Sequence, residues 1–326
     1  KLIAAAEEER FRRVKHWAGF PSESIKWCLS EANISLNDIN HISINQDSKS
    51  NILKKIIYTI LKRPSLRMLL GRFQNKHKRL SIKEYLLKEF PNSKFNGSII
   101  SVEHHTAHLS SAFHVSPFDE AVAVSVDGFG DFASTVAAVG DKNIISVKNK
   151  VLFPHSLGIF YQAFTQFLGF KNYGDEYKVM GLASYGKPTY KEQFSELINY
   201  NEENYFKLNL NYFTHHNNPN FSFKFKKGIP YFENLFSEKF YEIFGENFRS
   251  NEITEEHYNL ASTLQFVFED IVFKILNNLY EKFQISNLCL AGGCALNSRF
   301  NGKILEKTKF KNIFIQPNAS DGGGSL

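Results

Sequence analysis

The stretch E-A-V-A-V-S-V-D-G-F-G-D, residues 120–131, decides the architecture. Its apolar run from Ala121 to Val126 carries no charge and ends at an acid and two glycines. Such a run, bounded by turn residues, is the pattern of a strand buried on both faces. F-A-S-T-V-A-A-V-G then returns as a second strand and I-I-S-V-K as a third, giving a meander. In open α/β sheets ligands gather beyond the carboxyl ends of strands, which makes Asp127 a candidate site residue. An Asp at that place also serves as an ordinary turn residue.

Upstream lies S-V-E-H-H-T-A-H-L-S-S-A-F, residues 101–113, with three of the chain's 11 histidines inside five positions. The segment from Gly97 to Val102 reads as a strand, and Ala107 to Ala112 as helix. His104 and His108 are four residues apart, so they stack on one helix face, while His105 points elsewhere. Two imidazoles so placed can grip one metal ion. They also fit two solvated polar residues at a helix start.

Downstream, L-G-I-F-Y-Q-A-F-T-Q-F-L-G-F reads as an amphipathic helix, and a long helix is expected from Tyr258 to Phe283. N-L-C-L-A-G-G-C-A-L-N is a second strand, glycine turn and helix, and N-I-F-I-Q-P a strand running toward Asp321. Strand-end glycines let the backbone approach a phosphate, and the helix N-terminus that follows attracts it. Neither turn matches the Walker or dinucleotide fingerprint. Two histidines and two strand-end aspartates, His104, His108, Asp127 and Asp321, make a mixed nitrogen and oxygen set suited to Fe(II), Mn(II) or Zn(II).

The chain has 326 residues, 43% hydrophobic and 22% charged, a globular composition. No apolar run is long enough to span a bilayer, and the charged start has no apolar signal core. Cys28, Cys289 and Cys294 lack metal spacing, which fits free thiols in a cytoplasmic protein. The net charge of +6 is concentrated: Lys49 to Leu80 holds ten Lys or Arg and no acid. Its apolar residues have helical spacing, and it reads as a solvated helical insertion, about 49–91, in preference to a nucleic-acid or membrane patch. Residues 190–250, polar and aromatic with weak periodicity, read as a peripheral insertion. L-I-A-A-A, residues 2–6, reads as a strand. The start without Met and the end at S-D-G-G-G-S-L suggest an internal piece of a longer protein. The expected division is one α/β half over 1–155 and a second over 156–326.

Taken in order, H-H-T-A-H, V-S-V-D-G-F-G-D, S-L-G-I-F-Y-Q-A-F-T, G-D-E-Y-K-V-M-G-L-A-S-Y-G, A-G-G-C-A-L-N and S-D-G-G-G-S resemble the NodU/CmcH carbamoyltransferases, over most of residues 1–48 and 98–326. That resemblance implies a duplicated actin/Hsp70/sugar-kinase-like α/β fold, truncated here at both ends. It implies a metal, iron ahead of manganese or zinc, on His104, His108, Asp127 and Asp321. It implies a nucleotide, ATP or carbamoyladenylate, against Gly128, Gly292, Gly293, Asn297, Glu176, Lys178 and Gly181. Carbamoyl phosphate and a small hydroxyl-bearing acceptor are the implied substrates. The activating YrdC-like domain of the family lies outside this chain, and neither membrane nor nucleic acid is an expected partner.

The chemistry suits those residue types. Nitrogen donation makes a carbamoyl carbonyl a poor electrophile, and joining it to AMP supplies a better leaving group. A metal ion acts as Lewis acid and template. The acceptor hydroxyl needs a base, for which His105 and His155 are candidates by residue type alone. Two other functions remain open: a tRNA threonylcarbamoyl transferase using the basic segment, and a non-enzymatic actin-like ATP-binding module.

Overall fold

The computed structural model describes residues 1–62, 81–217, 224–226, 228–231, 233–250 and 252–325. The basic segment is therefore described only to residue 62, and its remainder lies outside the described residues. The strands are β1 (His41–Ile44), β2 (Ser98–Ser101), β3 (Glu120–Gly130), β4 (Ala133–Asp141), β5 (Ile144–Leu152), β6 (Ile198–Asn201), β7 (Tyr205–Leu208), β8 (Lys224–Lys226), β9 (Ile229–Tyr231), β10 (Asn287–Ala291) and β11 (Asn312–Ile315). The α-helices are α1 (Glu8–Arg12), α2 (Ser22–Glu31), α3 (Ile52–Lys62), α4 (Ile82–Glu89), α5 (His104–Phe113), α6 (Leu157–Phe167), α7 (Glu176–Leu182), α8 (Lys191–Leu197), α9 (Lys239–Phe244), α10 (Glu255–Phe283), α11 (Ser298–Asn301) and α12 (Ile304–Lys307).

The main sheet has five strands in the order β11-β10-β3-β4-β5. β3 is central: β10 lies parallel to it, with Leu288 opposite Val122, and β4 antiparallel. Both faces of β3 are covered, which is why its apolar run is unbroken. Side chains alternate along the strand. Val122, Val124 and Val126 pack with α6 and α10, through Phe160, Phe164, Phe268 and Val272. Ala121 and Ala123 pack under α5, with Leu109, Ala112 and Phe113. The same alternation carries Ser125 and Asp127 to the α5 side.

β3 and β4 join through Asp131 and Phe132, both at positive φ (47° and 75°), as a two-residue hairpin of the type I′ kind requires. Between Val126 and Gly130 the register shifts. Such a bulge re-aims side chains at the end of a strand, and Asp127 sits in it.

Several expectations change. Residues 2–6 form no strand; β1 and β2 pair in parallel with each other, and a strand without a ladder partner leaves its backbone groups unsatisfied. The first element is instead α1, where buried Glu8 accepts hydrogen bonds from the Ser24 amide at 2.7 Å and the Glu23 amide at 3.2 Å. Glu8 thus satisfies amides at the start of α2 that the helix itself cannot.

The division at 155/156 runs through the five-stranded sheet, because β3, β4 and β5 share it with β10 and β11. Residues from about 120 onward therefore belong to one sheet unit.

α6 is not amphipathic: Leu157 and every residue from Ile159 to Phe167 are buried. Its outer side is covered by phenylalanines from the segment expected to be peripheral. Phe164 stacks on Phe194 with ring centroids 4.5 Å apart, and Phe167 meets Phe240 at 5.3 Å. That segment supplies a core layer through short elements, which is why its sequence lacks a clear period. No helix among the described residues is long and apolar enough to cross a membrane.

Candidate metal centre

α5 begins at His104, where the Glu103 side chain accepts the Thr106 amide at 2.8 Å and caps the helix. One turn later comes His108, and the two Nε2 atoms are 3.1 Å apart. The Asp127 Oδ2 lies 3.0 Å from His104 Nε2 and 3.4 Å from His108 Nε2. Asp321, in the loop after β11, brings its Oδ1 to 3.6 Å from His104 Nε2 and 3.4 Å from His108 Nε2. The four donor atoms all lie within 4.8 Å of one another.

This donor set fits a divalent ion. Metal–ligand bonds of about 2.1 Å imply edges of about 3.0 Å in an octahedron and about 3.4 Å in a tetrahedron. The five separations above fall at or near those values. Two imidazoles and two carboxylates also suit Fe, Mn or Zn better than Mg or Ca. The His108 side chain is 1% exposed but that of Asp321 is 69% exposed, so the centre is closed beneath and open on the Asp321 side.

Electrostatics couple the four groups. Burial opposes a charge on His108, yet Asp127 and Asp321 outweigh it and hold its pKa up at about 9. Burial likewise opposes a charge on His104, and the Asp127 hydrogen bond raises its pKa above the usual value. Burial would raise the Asp127 carboxyl, but His104 and His108 hold it well below the carboxylate range.

Supporting contacts fix this geometry. His104 Nδ1 is 3.3 Å from the Asn45 carbonyl; since a carbonyl only accepts, this places the proton on Nδ1 and leaves the Nε2 lone pair for the centre. The Asp131 carboxylate accepts the His104 amide at 2.9 Å and the Asp47 amide at 2.7 Å. The Gly293 amide donates to Asp127 Oδ1 at 3.2 Å. A Cβ on Gly130 would sit 1.9 Å from His104 Cδ2, so only glycine lets that ring lie against the hairpin. Asp131 and Asn45 were not singled out from the sequence, although Asp131 ends the V-D-G-F-G-D motif four residues after Asp127. Replacing Asp131 with Ala is expected to weaken divalent-metal binding about 10- to 100-fold, the range typical of outer-shell partners. Competition titration against a chromogenic chelator measures it, with circular dichroism confirming the fold; unchanged affinity would contradict the supporting role.

The expected nucleotide residues divide into distinct environments. Gly292 (φ 89°) packs on β3: a Cβ there would meet the Val126 carbonyl oxygen at 2.3 Å. Asn297 caps α11 by accepting the Phe300 amide at 3.0 Å, and it pairs reciprocally with Gln265. Lys178 is bound to Asp175 at 2.7 Å. Glu176 opens α7, and burial raises its pKa. Gly128 and Gly181 face open space. Burial raises the Cys294 thiol strongly, and the charges of Asp127 and Glu176 add to that rise.

Neither candidate base stands free for an acceptor. His105 is fully buried, its Nδ1 2.9 Å from Ser125 Oγ, and burial pushes its pKa down to about 4. His155 Nδ1 accepts the Leu208 amide at 3.1 Å and so holds β7.

Known proteins supply the remaining comparison. The chain is 36% identical to an uncharacterized protein of Synechocystis sp. (strain ATCC 27184 / PCC 6803 / Kazusa), over 100% of this chain and 52% of that protein. It is 33% identical to nodulation protein NolNO of Sinorhizobium fredii, over 100% of this chain and 44% of that protein. The chain thus spans about half the length of these curated relatives. Full-length HypF in its phosphate- and nucleotide-bound form aligns with a TM-score of 0.37 and 13% identity, over 75% of this chain and 44% of HypF, too slight a likeness to carry an argument. The family model described as Carbamoyltransferase N-terminus matches residues 1–326. On that match, the chain belongs to the carbamoyltransferase family, of which it represents the N-terminal part.

Proposed function

We propose that this chain is the transfer half of an O-carbamoyltransferase. It moves a carbamoyl group, activated as carbamoyladenylate from carbamoyl phosphate and ATP, to a hydroxyl of a small acceptor such as a sugar or antibiotic. The observation that carries the reading is the convergence of His104, His108, Asp127 and Asp321 within 4.8 Å in a chain of this family. The four residues would hold a divalent ion, iron first, with manganese or zinc as substitutes. When bound, such an ion supplies Lewis-acid polarisation and a template for substrate oxygens.

The chain's own residues do the rest. Asn45 and Asp131 orient His104, and the Gly293 amide steadies Asp127. The open side at Asp321 admits substrate, and the surfaces at Gly128 and Gly181 leave room for a nucleotide. In the transfer, a bond forms between the acceptor oxygen and the carbamoyl carbon, and the bond from that carbon to the phosphate oxygen breaks. AMP leaves, and the hydroxyl proton passes to a base other than His105 or His155. Activation belongs to a YrdC-like domain elsewhere in the full-length protein. The β1–β2 pair and the five-stranded sheet are, in this reading, parts of the two units of a duplicated actin-like fold.

The test supplies carbamoyladenylate to the folded, iron-loaded chain with a panel of sugars and aminoglycosides. The expected result is a carbamoylated acceptor and one AMP per product. Transfer that proceeds equally well after chelation would overturn the metal assignment. A folded chain that releases pyrophosphate from ATP and carbamoyl phosphate would overturn the placement of activation.

A further inference from the structure

Among the described residues, the helix α3 (Ile52–Lys62) presents an unpartnered aliphatic stripe. It is seated on the body by one side only: Tyr58 meets Phe153 edge-on at 5.2 Å and Phe132 at 5.8 Å. Lys55 Nζ reaches back to the Ser48 carbonyl at 3.0 Å, and Asn51 Nδ2 donates to the Asp131 carbonyl at 2.9 Å. The opposite side carries Ile52, Leu53, Ile56, Ile57, Ile60 and Leu61, each between 49% and 75% exposed. Their spacing of i, i+1, i+4, i+5, i+8 and i+9 makes one continuous band on a helix. A contiguous exposed band of large aliphatic side chains marks an interaction surface.

Charge selects the occupant. Residues 49–62 hold four lysines, Lys49, Lys54, Lys55 and Lys62, and no Asp or Glu. A nucleic acid would be met by the cations but not by six aliphatic side chains. An aliphatic band on a helix bordered by cations fits the boundary between acyl chains and acidic headgroups. We propose that α3 binds flat on an anionic phospholipid surface, with the aliphatic band in the acyl boundary and the lysines against the headgroups. The helix is far too short to span a bilayer, so this is attachment at the surface. Because Asn51 and Asp47 both bond Asp131, which also accepts the His104 amide, attachment would set the candidate metal centre beside the lipid.

Flotation of the folded chain with vesicles tests this. Vesicles of phosphatidylcholine mixed with phosphatidylserine should carry the protein up the gradient, and vesicles of phosphatidylcholine alone should carry at least about tenfold less. Added salt should release it. The paired substitution Ile56→Asp and Ile60→Asp, at exposed positions, should cut binding about tenfold or more while circular dichroism stays unchanged. Lys49→Glu with Lys54→Glu should do the same through charge. Failure to float with either vesicle overturns the proposal. So does binding indifferent to Ile56→Asp and Ile60→Asp, which would be charge attraction alone. A dimer in sedimentation velocity that these two substitutions dissolve, without vesicle binding, would show a second copy as occupant instead.

Discussion

Replacing Asp127 with Asn is expected to empty the candidate metal centre. Asp127 is the one carboxylate that approaches both imidazoles from within the fold, at 3.0 and 3.4 Å, and its second oxygen is held by the Gly293 amide. The substitution keeps the shape but removes the charge that balances an ion. Loss of affinity should exceed the roughly 10- to 100-fold typical of losing an outer-shell partner. Metal analysis after dialysis against a weak chelator should fall from about one ion per chain to a trace. Sign matters for the pH dependence. In the metal-free chain the two carboxylates raise His108 to about 9, so near neutral pH an ion must displace that proton. Binding should release protons, and affinity should rise as pH climbs toward 9. That trend should weaken in the Asp127→Asn chain, where Asp321 alone remains to raise His108. An ion retained at full stoichiometry in that chain would show that Asp127 is not a ligand and that another group completes the set.

Much of this centre was legible in the sequence, for reasons that can be named. His104 and His108 follow from helical spacing alone, since i and i+4 must share a face. Asp127 follows from the strand it lies in: the alternation that buries Val122, Val124 and Val126 on one side puts Ser125 and Asp127 under α5. Asp321 required more, because its loop is far along the chain and only the parallel pairing of β10 with β3 and β11 brings it back. What escaped was support and covering. Asn45 acts through its backbone carbonyl, which every residue possesses, so no residue type announces it. Asp131 looked like a turn residue and is one; its carboxylate also gathers two amides from other elements. The strand expected at residues 2–6 failed because apolar residues suffice for a strand pattern but a ladder also needs a partner. The aromatic segment from 190 to 250 hid its burial, because phenylalanines drawn from several short elements show no single period. The same dispersal disguised α6, whose outer face is apolar because those rings cover it.

Replacing Gly292 with Ala is expected to destabilise the fold strongly, whatever the chain binds. Gly292 has φ 89° and ψ 158°, a conformation nearly restricted to glycine. A side chain there faces the backbone of β3, with the Val126 carbonyl oxygen 2.3 Å from the new Cβ. Backbone cannot swing aside as a flexible side chain can. Strain of about 1–3 kcal/mol adds to overpacking of about 1–3 kcal/mol. A loss of about 2–6 kcal/mol in denaturant unfolding follows. Gly128 is the contrast within the first glycine turn: its Cβ position is open, with no atom within 4 Å. Gly128→Ala should therefore change stability by no more than about 0.5 kcal/mol, as at other unstrained open sites. If a nucleotide phosphate approaches the backbone there, Gly128→Ala should weaken nucleotide binding while leaving unfolding unaltered. The pair of glycines thus separates two roles that the strand-to-glycine pattern confounds. Unfolding curves and nucleotide titrations of both variants decide it. A Gly292→Ala chain as stable as the parent, but deficient in nucleotide binding, would assign that glycine to the ligand and refute its packing role.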